Sequence, residues 1–160
     1  MKHETIYKRL GEKFDKGNYT FCCDNGNVYF CNKDNTVLYM LPGMLVLSTL
    51  WDHDKIDPRL SDYWENHIRT GKHILAEDIE TKRYQTISGK EITAKKITNK
   101  NGISAYVNKR LLSGFPENTT FYVQDGKSPV ICGIWDDKIG VLYPFAMVMP
   151  FLGNCLKEME

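Results

Sequence analysis

Tyr19-Thr20-Phe21-Cys22-Cys23-Asp24-Asn25-Gly26-Asn27-Val28-Tyr29-Phe30-Cys31 consists of two runs of mostly apolar, β-favouring residues joined by Asp-Asn-Gly-Asn. Asn-Gly tolerates positive φ at both central positions of a tight turn, and the twist of that turn matches the twist of paired strands. The stretch therefore predicts an antiparallel hairpin, with strands over Tyr19–Cys23 and Val28–Cys31. A second turn over Asn32 to Asn35 leads into a third strand, Thr36–Leu41, stopped by Pro42-Gly43.

The same pattern recurs further along. Strands are expected over Gln85–Ile87, Glu91–Thr98, Ile103–Val107, Thr119–Gln124, Ser128–Trp135 and Ile139–Met149. Ser88-Gly89, Asn101-Gly102, Asp125-Gly126 and Asp136-Asp137-Lys138 supply the turns between them. Three helical segments are expected as well. His3–Phe14 sets Ile6, Tyr7, Leu10 and Phe14 on one face. The charge-rich stretch Trp51–Lys82 reads as a helical insertion that starts near Asp57-Pro58 and stops at Gly71. Asn108–Phe115 reads as a short helix ended by Gly114 and Pro116. A helix followed by three hairpin-linked strands thus occurs twice, from His3 and from Asn108. The expectation is one α+β domain over residues 1–160, built as two helix-plus-antiparallel-strand halves.

With 160 residues the chain is the size of one domain, and its net charge of +1 excludes a globally basic nucleic-acid binder while leaving room for a local basic face. Residues 1–16 alternate charged and apolar side chains, unlike a secretory signal peptide. Val37–Leu50, the longest apolar run, is interrupted by Pro42-Gly43 and is too short for a membrane-spanning helix. The cysteines, Cys22, Cys23, Cys31, Cys132 and Cys155, are odd in number and lack zinc-site spacing. Free thiols, no disulfide, no structural zinc and a reducing cytoplasmic setting are expected.

Asp52, His53, Asp54, Asp57, His67 and His73 form the densest run of acid–base or ligand groups. One reading is solvated turn and cap chemistry. The other is a small metal- or thiol-dependent hydrolase using the Asp52–His73 region, although His67 and His73, six apart, fall on different sides of a helix. No Gly-rich phosphate loop, nucleophile elbow or Cys-x-x-Cys occurs, which favours a binding or assembly module without a cofactor. From Lys90 to Arg110 the chain carries Lys90, Lys95, Lys96, Lys100, Lys109 and Arg110 against the single acid Glu91. Lys95 and Lys96 must point to opposite faces of a strand, so only part of the set can form one patch. Lysines that guard an edge strand against aggregation are the alternative.

Ala105 to Phe151 resembles the last part of the bacterial DNA polymerase III β sliding clamp. The residues that carry the resemblance are Tyr106-Val107-Asn108-Lys109-Arg110-Leu111-Leu112, Ser128-Pro129-Val130-Ile131 and Val148-Met149-Pro150-Phe151. It implies a DNA-clamp-like domain whose short helices face duplex DNA, with Lys2, Lys8, Arg9, Lys13, Lys109 and Arg110 as phosphate contacts. It also implies a peptide-binding groove for a partner protein at Pro129, Met147, Met149, Pro150 and Phe151; a closing core strand is the other reading of those residues. The function expected is a non-enzymatic DNA-associated or protein-docking module, with a protein-interaction domain lacking any nucleic-acid role as a further alternative.

Overall fold

The computed structural model describes residues 19–42 and 57–160. Ten strands follow in chain order: β1 (Tyr19–Asp24), β2 (Asn27–Asn32), β3 (Val37–Pro42), β4 (Ile74–Thr86), β5 (Glu91–Asn99), β6 (Ser104–Asn108), β7 (Thr120–Val123), β8 (Val130–Asp136), β9 (Val141–Val148) and β10 (Leu156–Glu158). Among the described residues one α-helix, α1 (Arg59–Thr70), lies between β3 and β4. The strands form one antiparallel sheet in the order β1-β2-β3-β9-β8-β7-β4-β5-β6, with β10 also paired to β4.

The hairpin turns stand where the Asn-Gly pairs put them. Asn25 and Gly26 take φ of 48° and 77°, the positive values that a two-residue hairpin loop requires. At the next turn Asn35 has φ 52°, and the Asn32 side chain accepts from the N–H groups of Thr36 and Val37.

Strand alternation sorts side chains onto two faces. On the inner face a row of opposed residues runs Phe21, Phe30, Tyr39, Ala146, Cys132 and Phe121 across β1, β2, β3, β9, β8 and β7. These residues share one core with Ile97 of β5 and with Ala105 and Val107 of β6. A flat sheet could not bring its two ends into one core, so the sheet is curled, with the long β4 as the common member of both halves. Leu111, Leu112 and Phe115 pack into this core, and the Phe115 ring meets those of Phe145 and Tyr39 at 5.0 and 6.2 Å.

On the outer face the row Cys31, Leu38, Met147, Ile131 and Tyr122 is opposed in the same way. Helix α1 covers part of it with Leu60 and Trp64, and Trp64 stands edge-on to Tyr29 at 6.0 Å. Asp57 accepts from the Arg59 N–H at the start of the helix, and Gly71 closes its end with its N–H on the His67 carbonyl.

The expected α+β, DNA-clamp-like arrangement of two helix-plus-strands halves with a helical insertion over 51–82 is overturned by this single sheet. Of the described part of that stretch only Arg59–Thr70 is α-helical, and residues 74–82 belong to β4. Partners distant in sequence decide the matter: Glu80 faces Lys96, Thr81 faces Lys95 and Arg83 faces Thr93 on β5, while Ile74 and Leu75 pair with β7. The helix expected at Asn108 is one 3-10 turn, Lys109–Leu112, because Gly114, with φ 92°, and Pro116 follow at once. The helix expected over His3–Phe14 lies outside the described residues. No helix among the described residues is long and apolar enough to cross a membrane.

Asn99, at the end of β5, is a buried polar side chain at the fold's bend. Its amide nitrogen donates to the Val123 carbonyl of β7 at 3.0 Å, and its Oδ1 accepts from the N–H groups of Asn101 and Ile103 at 2.9 and 3.1 Å. It therefore links β5 to β7 across the point where both approach β4. Asn99→Ala would leave the Val123 carbonyl without this donor inside the core and should cost about 2–3 kcal/mol of unfolding free energy. Urea denaturation measures this; a loss below about 0.5 kcal/mol, the level of an ordinary surface substitution, would contradict the role given to Asn99.

Candidate functional site

Helix α1 covers only part of the outer face, and beside it lies an apolar groove of about 430 Å³. Its floor is the strand row Cys31, Leu38 and Met147, its walls are Leu60, Tyr63, Val37, Met149 and Pro129, and Asn35, Asp57 and Arg59 form a polar rim. Tyr63 is 44% exposed, with its ring against the His67 ring at 4.5 Å and its hydroxyl 4.0 Å from the Met149 sulfur. Met149 is fixed in the backbone by donating its N–H to the Thr36 carbonyl at 2.7 Å. Methionine and tyrosine walls over a β-sheet floor suit an adaptable apolar contact, because the thioether chain repacks at small cost.

Three of the expected peptide-groove residues, Pro129, Met147 and Met149, meet here. Met147 is a buried strand residue whose side chain also forms part of the floor. Pro150 and Phe151 do not line the groove. The chain turns away after Met149, and the Phe151 N–H donates to the Tyr106 carbonyl at 2.7 Å, at the edge of β6. Gly153 then packs on the Tyr106 ring, and β10 joins β4. Tyr63 and Leu60 were not among the expected site residues; their spacing on α1 marks a helix face, but nothing local in sequence says which strands that face meets.

The Asp57 carboxylate is paired with the Arg59 guanidinium at 3.0 Å, which holds its pKa below the ordinary carboxylate value. Burial pushes the Cys31 thiol up to about 11 and raises Cys132 and Cys23 as well. A nucleophilic cysteine needs the opposite shift; Cys31 and Cys132 are buried packing residues, whereas Cys23 is exposed. No group of three or more His, Cys, Asp or Glu side chains converges as a metal site among the described residues. Asp52, His53 and Asp54 of the hydrolase alternative lie outside the described residues.

A second cavity, of about 480 Å³, is lined by Arg83, Lys90, Glu91, Ile92, Thr93, Asn108, Lys109, Arg110 and Ser113. Of the expected phosphate-contacting residues it gathers Lys109 and Arg110; Lys2, Lys8, Arg9 and Lys13 lie outside the described residues. The β5 register divides the remaining lysines, with Lys95 opposite Val107 and Lys96 opposite Tyr106, so these two point to different faces.

His73 ties the end of the helix to the groove. Its Nε2 lies 3.1 Å from the Pro129 carbonyl, which only a protonated ring nitrogen can engage. Burial lowers the pKa of His73, and of His67. A lowered folded-state pKa means that the unfolded chain takes up the proton first, at an ordinary value of about 6.5. Stability is then full above that pH and declines as pH falls toward the folded-state value. The lowered carboxyls of Asp57 and Asp125 contribute only in the more acidic range, below about 4. Tm should therefore fall between pH 7 and pH 5, and His73→Gln should remove much of that slope. Thermal unfolding across this range tests the assignment, and an unchanged slope in the variant would refute it.

Comparison of the chain with protein-family models, with curated proteins and with solved structures found no match.

Proposed function

We propose that the chain is a non-enzymatic docking module that takes an apolar peptide segment of a partner protein in the groove beside α1. The observation that carries this reading is the groove itself. A floor of the buried strand residues Cys31, Leu38 and Met147 is walled by Tyr63, Leu60, Met149 and Pro129.

The chemistry of the lining selects the occupant. The floor and walls offer no free charge, since the Asp57 and Arg59 side chains at the rim pair with each other. A charged side chain entering the groove would lose its hydration without a partner, whereas a large aliphatic or aromatic side chain would bury about as much area as it covers. Asn35 and Thr36 at the rim supply polar groups for the backbone of such a segment. An isolated patch of this size gives modest affinity; specificity would come from one or two anchoring side chains.

Selection of a displayed random-peptide library on the immobilised protein should enrich peptides with one or two large apolar anchors. A synthetic peptide from that selection should lose at least about tenfold in affinity to Met149→Lys, because an ammonium group then faces the anchor. Met149 is only partly buried, so the Tm of the variant should stay close to that of the wild type. Binding that is indifferent to both Met149→Lys and Tyr63→Ala would place the docking surface elsewhere.

A further inference from the structure

The second cavity has a composition unlike the rest of this nearly neutral chain. Four cationic side chains, Arg83, Lys90, Lys109 and Arg110, line it against the single carboxylate of Glu91. They come from two separate elements. Arg83 and Lys90 belong to the β4–β5 hairpin, and Lys109 and Arg110 to the 3-10 turn after β6.

Both elements are held firmly. In the hairpin the Thr86 N–H donates to the Lys90 carbonyl at 2.9 Å, the Gly89 N–H to the Thr86 carbonyl at 2.8 Å, and the Lys90 N–H to Thr86 Oγ1 at 3.1 Å. At the 3-10 turn Asn108 Oδ1 accepts the Arg110 N–H at 3.0 Å, and Leu112 is buried in the inner core. Lys82, by contrast, lies outside the cavity and is occupied by Glu158 at 2.8 Å and Glu80 at 3.2 Å. Among the described residues no ion pair neutralises Lys90, Lys109 or Arg110. Arg83 donates only to the Glu160 carbonyl, at 3.4 Å.

We infer that this cleft binds a compact oligophosphate, meaning two or more directly linked phosphate groups, free or as the tail of a nucleotide. Like charges brought together around a concave surface repel one another unless an anion sits among them, and the surplus of three positive charges exceeds what one sulfate or monophosphate neutralises. Guanidinium groups on two sides fit phosphate oxygens as planar forks, and the two ammonium groups act as point charges between them. Thr93 and Asn108 add polar groups to the wall. A cavity of about 480 Å³ matches a small ligand held inside it rather than a duplex passing over it.

Titration calorimetry of the whole chain at low ionic strength would use sodium tripolyphosphate, sodium sulfate and a single-stranded oligothymidylate of twelve nucleotides as probes. Tripolyphosphate should bind one to one, at least about tenfold more tightly than sulfate and more tightly than the oligonucleotide. It should also raise Tm. Lys90→Gln and Lys109→Gln should each weaken it about tenfold, as the loss of one charge-assisted contact does. Lys109→Arg should restore binding. Lys90, Lys109 and Arg110 are exposed, so the ligand-free variants should melt like the wild type, which separates lost binding from lost folding. No saturable tripolyphosphate binding, binding unaffected by both Gln variants, or tighter binding of the oligonucleotide would each overturn the inference.

Discussion

The hydrogen bonds of the Asn99 side chain, one to β7 and two to the turn after β5, tie together the two strands that flank β4. Ile97, Ala105 and Val107 of β5 and β6 share one interior with Phe121, Val123 and Val130. The only α-helix among the described residues packs on the outer face, and the groove lies beside it. The turn after β6 packs over the inner core through Leu112, and the β5–β6 register, with Asn108 opposite Ala94, sets Lys109 and Arg110 beside the β4–β5 hairpin. A polar group buried as deeply as Asn99 is stabilising only while every bond is made.

How far the sequence reveals this depends on whether the determining contacts are local. Asn25-Gly26 announces its hairpin because the φ values it permits are a property of two adjacent residues, and β1, β2 and β3 follow within a residue or two. The end of α1 at Gly71 is readable for the same reason. Strand β4 is not. Ala76-Glu77-Asp78-Ile79-Glu80-Thr81-Lys82 has a helix-like composition and no clean apolar alternation, since most of its residues stay partly or fully exposed. Its conformation is imposed by β5, β7 and β10, so no short window contains the information.

The sites divide in the same way. Pro129, Met147 and Met149 lie at or just beyond the paired ends of β8 and β9, and the resemblance over that stretch names them among the expected groove residues. Tyr63 and Leu60, from a helix more than sixty residues earlier, become walls only once α1 has docked. Excess positive charge over residues 90–110 is visible by inspection, but the register of β5 and β6 decides which of those lysines count. Arg83 joins them only because β4 is a strand.

Strand β9 carries one residue more than β8 can match: Cys132 faces Ala146 and Gly133 faces Pro144, leaving Phe145 unopposed. The bulge lets both Phe145 and Ala146 turn inward, and pairing with β3 stops at Ala146. Beyond it the β8–β9 arm, with Trp135, Ile139, Val141 and Tyr143 exposed, has no strand on its β3 side among the described residues. The arm is thereby out of phase with the core, with Ile134 still packed against it. Losing the single unmatched residue would swap the inside and outside of every arm position at once.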